Sequence, residues 1–426
     1  MENKVYDVIV VGGGVAGLSA SYHLKKYGLN HIVFERGKIG ESWRSQRWDS
    51  FKLNTPNKLN VLPGSVHKGS DLEGFDEASK YISSFEEYVS VFDLPVLENS
   101  KVISIEKPGE FFNVTVSRNN KKENYSCRQV IIASGHASEI KVPPFTKNIA
   151  GNIKQLHTSE YRSPAQLPDG AVLVVGSGQS GIQIAEDLID SGRKVYLSTS
   201  MVARVPRWYR GRDIVEWLIE MKFFEARAQD IEDPKMLEMR PPQITGIGGN
   251  KYTISLQSIA KKGVIIAGKT DNADRQNIFF QPNAAMHVKF ADGFSKKVKE
   301  MIDGFIMKTQ VKAEPAEYDE ADQPDENASC ANSMSSLNFK ENNINSIIWS
   351  TGFNGDFSYI KLPVFDEKGN LKHNDGVPVV PGLYFLGYPW LRGRKSLLIF
   401  GIKEDAQFVV DWIYEQATTK AQPVAV

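Results

Sequence analysis

YDVIVVGGGVAGLSASYHLKK, residues 6–26, decides how the rest of the chain is read. Its opening Val/Ile run is apolar on both faces, as expected of a strand buried in a parallel sheet. The run breaks at Gly12, and from Val15 onward apolar residues recur at helical spacing. Gly12, Gly14 and Gly17 therefore form Gly-x-Gly-x-x-Gly between a strand and a helix. The first glycine permits the tight turn, the second lets a pyrophosphate approach the backbone, and the third lets helix and strand pack closely. The unpaired N–H groups and positive dipole end of such a helix favour phosphate. The next apolar run, HIVFER (31–36), carries Glu35 near its end, 18 residues after Gly17, with Arg36 beside it. An acid at that place accepts hydrogen bonds from a ribose diol. Strand, turn, helix, strand and acid in this order predict a dinucleotide site.

The pattern recurs in Gly170–Asp190, GAVLVVGSGQSGIQIAEDLID, followed by KVYLST (194–199). Gly176, Gly178 and Gly181 repeat the fingerprint, with Gln179 and Ser180 inside it. Here the second run ends in Ser198-Thr199-Ser200 with no acid, and Arg204 and Arg207 follow closely. A missing carboxylate with guanidinium groups nearby suits the 2′-phosphate of NADPH. The alternative is that both arginines are solvated surface charges. The N-terminal site, with its glutamate, points to FAD. The expected fold is thus α/β, with two Rossmann-like dinucleotide-binding domains, one for FAD and one for NADPH. A chain holding both nucleotides passes a hydride from nicotinamide to flavin, and the flavin then reduces something else.

Lys101–Glu106 and Phe111–Ser117 alternate like meander strands, with Pro108-Gly109 as their turn. Val130–Gly135, VIIASG, reads as a buried strand that returns to the first domain and brings Gly135 to its cofactor. Ile214–Phe224 and Ala284–Met307 have the pattern of amphipathic helices. Glu314–Asn327 is acidic, contains proline, and reads as a solvated surface loop. Ile347–Gly352, Leu383–Gly387 and a helix over Lys403–Gln416 have no nucleotide fingerprint of their own, so they are assigned back to the first domain. The expected division is 1–165 plus 341–426 for FAD, and 166–340 for NADPH with a helical insertion.

The 51 basic and 51 acidic residues balance, which gives no reason to expect nucleic acid or an anionic membrane as partner. No run reaches the roughly 18 apolar residues a membrane helix needs. The two cysteines, Cys127 and Cys330, form no Cys-x-x-Cys pair, which fits a reducing, cytoplasmic setting. None of the seven histidines stands at metal-ligand spacing from another.

Several longer stretches resemble the class B flavoprotein monooxygenases, the flavin-containing monooxygenase superfamily. They are GKIGESWRSQRWDSFKLNTPNKLNVLPG (37–64), ASGH (133–136), HTSEY (157–161), VVGSGQSG (174–181), STGF (350–353) and PGLYFLGYPWLRGRKS (381–396). Within it they most resemble bacterial flavoproteins loosely associated with potassium transport and the plant indole-3-pyruvate monooxygenases. The resemblance implies an NADPH-consuming FAD enzyme that forms a C4a-(hydro)peroxyflavin and oxygenates a small organic substrate at N, S or C. Its partners would be that substrate and O2, with room for a homodimer. His157 and Tyr161 match the second half of the superfamily's signature, while Gly151 and Ile153 stand where it has Phe and Gly. The resemblance gives that histidine a part in domain geometry. Asn54, with Pro63 nine residues on, matches the asparagine the family carries beside flavin C4a; read alone, it is also an ordinary turn residue in Asn54-Thr55-Pro56. Trp43 corresponds to an aromatic flanking the flavin and reads equally well as a core tryptophan. Gly387 and the RGRKS turn with Ser396 would face the flavin edge, with Arg394 and Lys395 adding charge. Pro241–Ser258, with its glycine cluster, would cover the site and choose the substrate. Two rival readings stay open: an NADPH-dependent reductase for a carrier or quinone, and a non-catalytic flavin redox sensor.

Overall fold

The computed structural model describes residues 5–239, 241–246, 252–325, 328, 334–367, 369–374 and 376–421. Two sheets organise it. In the first, the strand order is Val96–Leu97, His31–Phe34, Val5–Val11, Lys121–Ile132, Phe112–Arg118, Lys101–Glu106, and Leu383–Phe385 also pairs with Lys121–Ile132. That twelve-residue strand changes partner along its length. Its first half runs antiparallel to Phe112–Arg118, from the meander read in the sequence. Its second half runs parallel to Val5–Val11 and Leu383–Phe385. The central residues Val8, Ile9, Val10, Val130 and Ile131 are fully buried, as their unbroken apolar runs require.

The second sheet is wholly parallel, in the order Ile265–Ala267, Val195–Ser198, Ala171–Val175, Ile344–Trp349, Lys154–His157. Two strands from segments assigned to the first domain belong here instead, one of them, Lys154–His157, not read as a strand in the sequence. Ile344–Trp349 sets Ile347 opposite Leu173 on one side and opposite Gln155 on the other. The reason is burial: Ile347 and Ile348 are fully covered and Trp349 nearly so, and an apolar run such as Ile347–Trp349 fits the interior of a parallel sheet. Lys154–His157 then takes the sheet edge, and the second unit gathers strands from both sides of the proposed boundaries at 165 and 341.

The helix expected over Ile214–Phe224 ends at Glu220, where it gives way to a turn and a short 3-10 segment, Phe223–Glu225. The longer helix runs Ala284–Thr309 and the last one Ile399–Ala421. The acidic stretch read as solvated is docked over part of its length. Ala321 is buried. Asp322 accepts from Arg204 at 2.7 Å and from Lys299 at 2.5 Å, and Asp319 accepts from Thr253 at 2.7 Å. Cations on the long helix and at Arg204 draw these carboxylates in. Glu326 and Asn327 lie outside the described residues, as does Cys330. Cys127 is a buried free thiol in the core of the first sheet, its pKa pushed up to about 12 by burial. Among the described residues no helix is long and apolar enough to cross a membrane, and no group of side chains could hold a metal ion.

Burial also sets the acid sensitivity of the fold. His23 packs edge-on against Tyr22, and burial lowers its pKa to about 4. His31, His157 and His287 are lowered for the same reason. Each folded-state value lies below the unfolded one, so the stabilisation is present above pH 6.5 and is lost as pH falls toward the folded value. For His23 the loss between pH 7 and 4 is on the order of 3 kcal/mol. Denaturant titrations from pH 7 to pH 4 should show stability falling steeply, with His23→Phe flattening that limb. A His23→Phe slope equal to wild type would contradict this.

Candidate functional site

The two glycine turns are built alike. Gly12 has φ +111° and Gly176 φ +105°, values that disfavour any side chain. A methyl group on Gly12 would lie 2.4 Å from the Ala133 carbonyl oxygen, and one on Gly176 would lie 2.4 Å from that of Ser350. A methyl on Gly17 would lie 1.8 Å from the Gly12 oxygen, and on Gly181 1.9 Å from the Gly176 oxygen. The middle glycines differ: nothing stands within 4 Å of where a side chain would start on Gly14 or Gly178. Each turn is thus packed tight at its first and third glycine and open at its second, at the N-terminus of a 12-residue helix. That is the shape a pyrophosphate needs.

Around the first turn, Glu35 is buried and accepts from the Gly13 N–H at 2.7 Å and the Gly37 N–H at 3.0 Å. Burial raises its pKa, while those two amides pull it down. Arg36, next in the chain, is exposed. Gly135 has φ +79° and open space before it. Gly387 sits against Ala16 of the first helix, a would-be methyl lying 3.6 Å from its Cβ. His136 meets Tyr388 edge-on at 5.3 Å, so the ASGH and LGYP segments frame the turn together. Ser396 is buried and accepts from the N–H groups of Arg392 and Gly393, which holds the RGRKS turn shut. Trp43 packs edge-on against Tyr81 at 5.2 Å, with the Arg47 guanidinium 5.0 Å from its ring. Close by in the chain, Gln46 Oε1 and Trp48 Nε1 are buried without a hydrogen-bond partner among the described residues, as is the Tyr81 hydroxyl. Buried polar atoms are nearly always paired. Open glycines, a buried acid, aromatic rings and orphaned polar atoms fit a flat, polar-edged dinucleotide here.

Around the second turn the arginines are not where the sequence puts them. Arg204 is 2% exposed and binds Asp292 and Asp322, with Ser295 at 3.1 Å. Arg207 is fully buried, ion-paired with Asp213, 4.3 Å over the Phe75 ring, and donates to the Asn54 carbonyl at 2.6 Å. Neither offers a free guanidinium to a phosphate, because a buried arginine is tolerated only when its charge is already matched. What meets the turn instead is the covering segment. Gln243 donates to Ser177 O at 2.5 Å. The Gln179 side chain accepts from Ile244 N–H and donates to Thr245 O, both at 2.7 Å. Gln183 donates to Gly246 O at 2.9 Å and to Asn54 Oδ1 at 3.4 Å. Ser180, half-buried, follows Gln179 in the helix. Gly248 and Gly249 lie outside the described residues.

Asn54 thus reaches the helix of the second turn. Gln183 was missed in the sequence, although it stands four residues after Gln179 and so on the same helix face. His157 donates through Nε2 to Gly352 O at 3.0 Å, 195 residues on, and meets the Ser159 hydroxyl through Nδ1 at 2.9 Å, and Tyr161 is buried with its hydroxyl on Asp187 at 2.6 Å.

The pyridine nucleotide-disulphide oxidoreductase family matches residues 9–242, a span that takes in both glycine turns. The chain belongs to that family. An oxidoreductase of Geobacillus kaustophilus (strain HTA426), CzcO-like, is 31% identical over 412 residues, covering 96% of this chain and 98% of that one. A probable indole-3-pyruvate monooxygenase of Arabidopsis thaliana, YUCCA3, is 29% identical over 229 residues, half of each chain. The flavin-containing monooxygenase of Stenotrophomonas maltophilia superposes with a TM-score of 0.65 at 20% identity, over 97% of this chain and 99% of that one. These findings bear out the resemblance to the class B flavoprotein monooxygenases and the two-domain dinucleotide-binding fold. The chain is a flavin-dependent oxidoreductase or oxygenase.

Two predictions follow the geometry of the turns and arginines. Gly12→Ala and Gly176→Ala should each destabilise by about 1–3 kcal/mol through forced contact. Gly14→Ala and Gly178→Ala should unfold within about 0.5 kcal/mol of wild type yet lose dinucleotide at the altered turn alone. Unfolding curves and ligand titrations separate the two classes; equal destabilisation of all four would contradict the reading. Arg204→Ala should lower the unfolding midpoint and leave the ratio of NADPH to NADH affinity unchanged. A selective loss of NADPH binding would restore the phosphate role to that arginine.

Proposed function

We propose that this protein is an NADPH-consuming FAD monooxygenase of small organic molecules. The observation that carries the reading is the pair of matched glycine turns with Asn54 brought from the first segment to the helix of the second. FAD belongs at the first turn, held by Gly12, Gly14, Gly17 and Glu35, with Gly135 and Gly387 giving it backbone access and Trp43 an aromatic wall. NADPH belongs at the second, on Gly176, Gly178, Gly181, Gln179 and Ser180, where no carboxylate at Ser198-Thr199-Ser200 repels a 2′-phosphate. Bound flavin, reduced by the nicotinamide, supplies the activation of O2. The chain's own part is to orient the rings and keep water away. Asn54 offers an amide at the cleft, and residues 243–246 close over the second turn. The N-, S- or C-oxidised class of product, and a homodimer, belong to the same proposal.

A dithiol-type reductase is served less well by these residues, whereas a reductase for a carrier or quinone needs no cysteine pair. Cys127 is buried among Phe112, Val130 and their neighbours, far from a dithiol's needs, and Cys330 stands far from it in sequence. Stopped-flow spectroscopy tests the reading. The NADPH-reduced protein mixed with O2 should give an absorbance band distinct from oxidised and reduced flavin, lasting seconds and decaying as product forms. Immediate hydrogen peroxide with full flavin reoxidation, for every substrate tried, would sink it, and anaerobic turnover with a quinone would replace it.

A further inference from the structure

Both hydrogen bonds that Asn54 makes among the described residues come from the half of the chain carrying the second turn. Arg207 donates to its carbonyl at 2.6 Å and Gln183 donates to its side-chain oxygen at 3.4 Å. Its neighbours are tied elsewhere, Leu53 N–H to Asp76 O and Asn57 N–H to Gly74 O, both at 2.9 Å. Gln183 is 3% exposed and lies one turn along the helix that opens at Gly178. Its amide orientation follows from its partners. Gly246 O can only accept, so Nε2 faces it, and Oε1 is left buried with no hydrogen-bond partner among the described residues.

The segment Gln183 holds has little freedom of its own. Gln179 clasps residues 244 and 245, and Gln243 reaches back to Ser177 within the turn. A methyl on Gly246 would lie 1.9 Å from the Tyr252 hydroxyl, which itself donates to Glu186 on the same helix at 2.8 Å. One helix face therefore fixes the covering segment, and one residue of that face also touches Asn54.

We propose that Gln183 is a positioning residue: its single amide sets the side chain of Asn54 and the covering segment together, so that occupancy of the second turn is felt at Asn54. This rests on the reading of Asn54 as a cleft residue. The 3.4 Å separation is long for a hydrogen bond, as expected of an active-site contact that tightens on closure. Gln183 makes no contact with the phosphate-facing amides, so it acts on geometry and not on nucleotide capture.

The test uses the flavin-loaded protein with Gln183→Leu, which removes the amide, and Gln183→Glu, which keeps an acceptor but cannot donate. Hydrogen exchange should speed up about tenfold or more in peptides spanning 52–57 and 241–246 in both variants, with the 171–175 strand unchanged. NADP+ titrated against the flavin spectrum should bind within about threefold of wild type, while the rate of flavin reduction by NADPH falls about tenfold or more. Faster exchange at 241–246 alone would overturn the proposal by making Gln183 a prop for the cover. A loss of NADP+ affinity that matches the loss of rate would overturn it by making Gln183 a nucleotide contact. Exchange does not need the cofactor. If wild-type protein takes up no flavin, the proposed function falls, and the two peptides still decide whether Gln183 couples Asn54 to the cover.

Discussion

The structure depends on a contact that only glycine permits: the carbonyl oxygen of the first glycine of each turn against the Cα of the third. A methyl on Gly17 or Gly181 would lie under 2 Å from that oxygen. The close approach lets the helix start directly above the strand end, so its first N–H groups point out of the sheet toward the open second glycine. A third strand backs each turn. Ala133, just beyond Lys121–Ile132, closes on Gly12, and Ser350, just beyond Ile344–Trp349, closes on Gly176. Each dinucleotide site is therefore three segments meeting, and the glycine motif is one of them.

This explains what could be read from the residues and what could not. The two strand–turn–helix units were legible because glycine spacing and apolar period are local signals. The strand Ile344–Trp349 was not, because its place depends on pairing with Leu173 and Gln155, far away in sequence. A cue did exist: VIIASG (130–135) and IIWSTG (347–352) are alike, and each supplies the backing strand of its own turn. Two such segments for two turns would have moved the second one to the second sheet.

What the residues did not show for Arg204 and Arg207 was their pairing. Charge near a missing acid is a fair signal of phosphate binding, but it does not say whether the charge is already matched. Asp292, Asp322 and Asp213, which match it, come from up to 118 residues away. The acidic stretch read as solvent-facing supplies Asp322. One misreading explains part of the other: Arg204 looked free because the acidic stretch that supplies Asp322 looked detached, whereas Arg207 is matched by Asp213, six residues on. Joined, they tie the long helix, the insertion and the turn's flank into one body.

The helix Gln179–Asp190 is where these parts are brought to bear on one another. Gln183 and Asp187, four residues apart, face the first segment, where Gln183 meets Asn54 and Asp187 accepts from Ser50 at 3.0 Å and Tyr161 at 2.6 Å. Glu186 and Asp190, also four apart, face the insertion, where Lys262 bonds both. Gln179 and Gln183 together hold the cover. A rigid helix with a nucleotide turn at its head, one stripe on the first segment and another on the insertion cannot shift without moving all three. Relative placement of the two turns is thus governed less by either glycine turn itself than by which side chains this helix presents at 183 and 187. In the proposed reaction a hydride passes between rings held on separate sheets, and transfer falls steeply with small misplacements. That demand favours short polar contacts over apolar packing at this seam, because a hydrogen bond fixes distance and direction together, whereas apolar surfaces can slide.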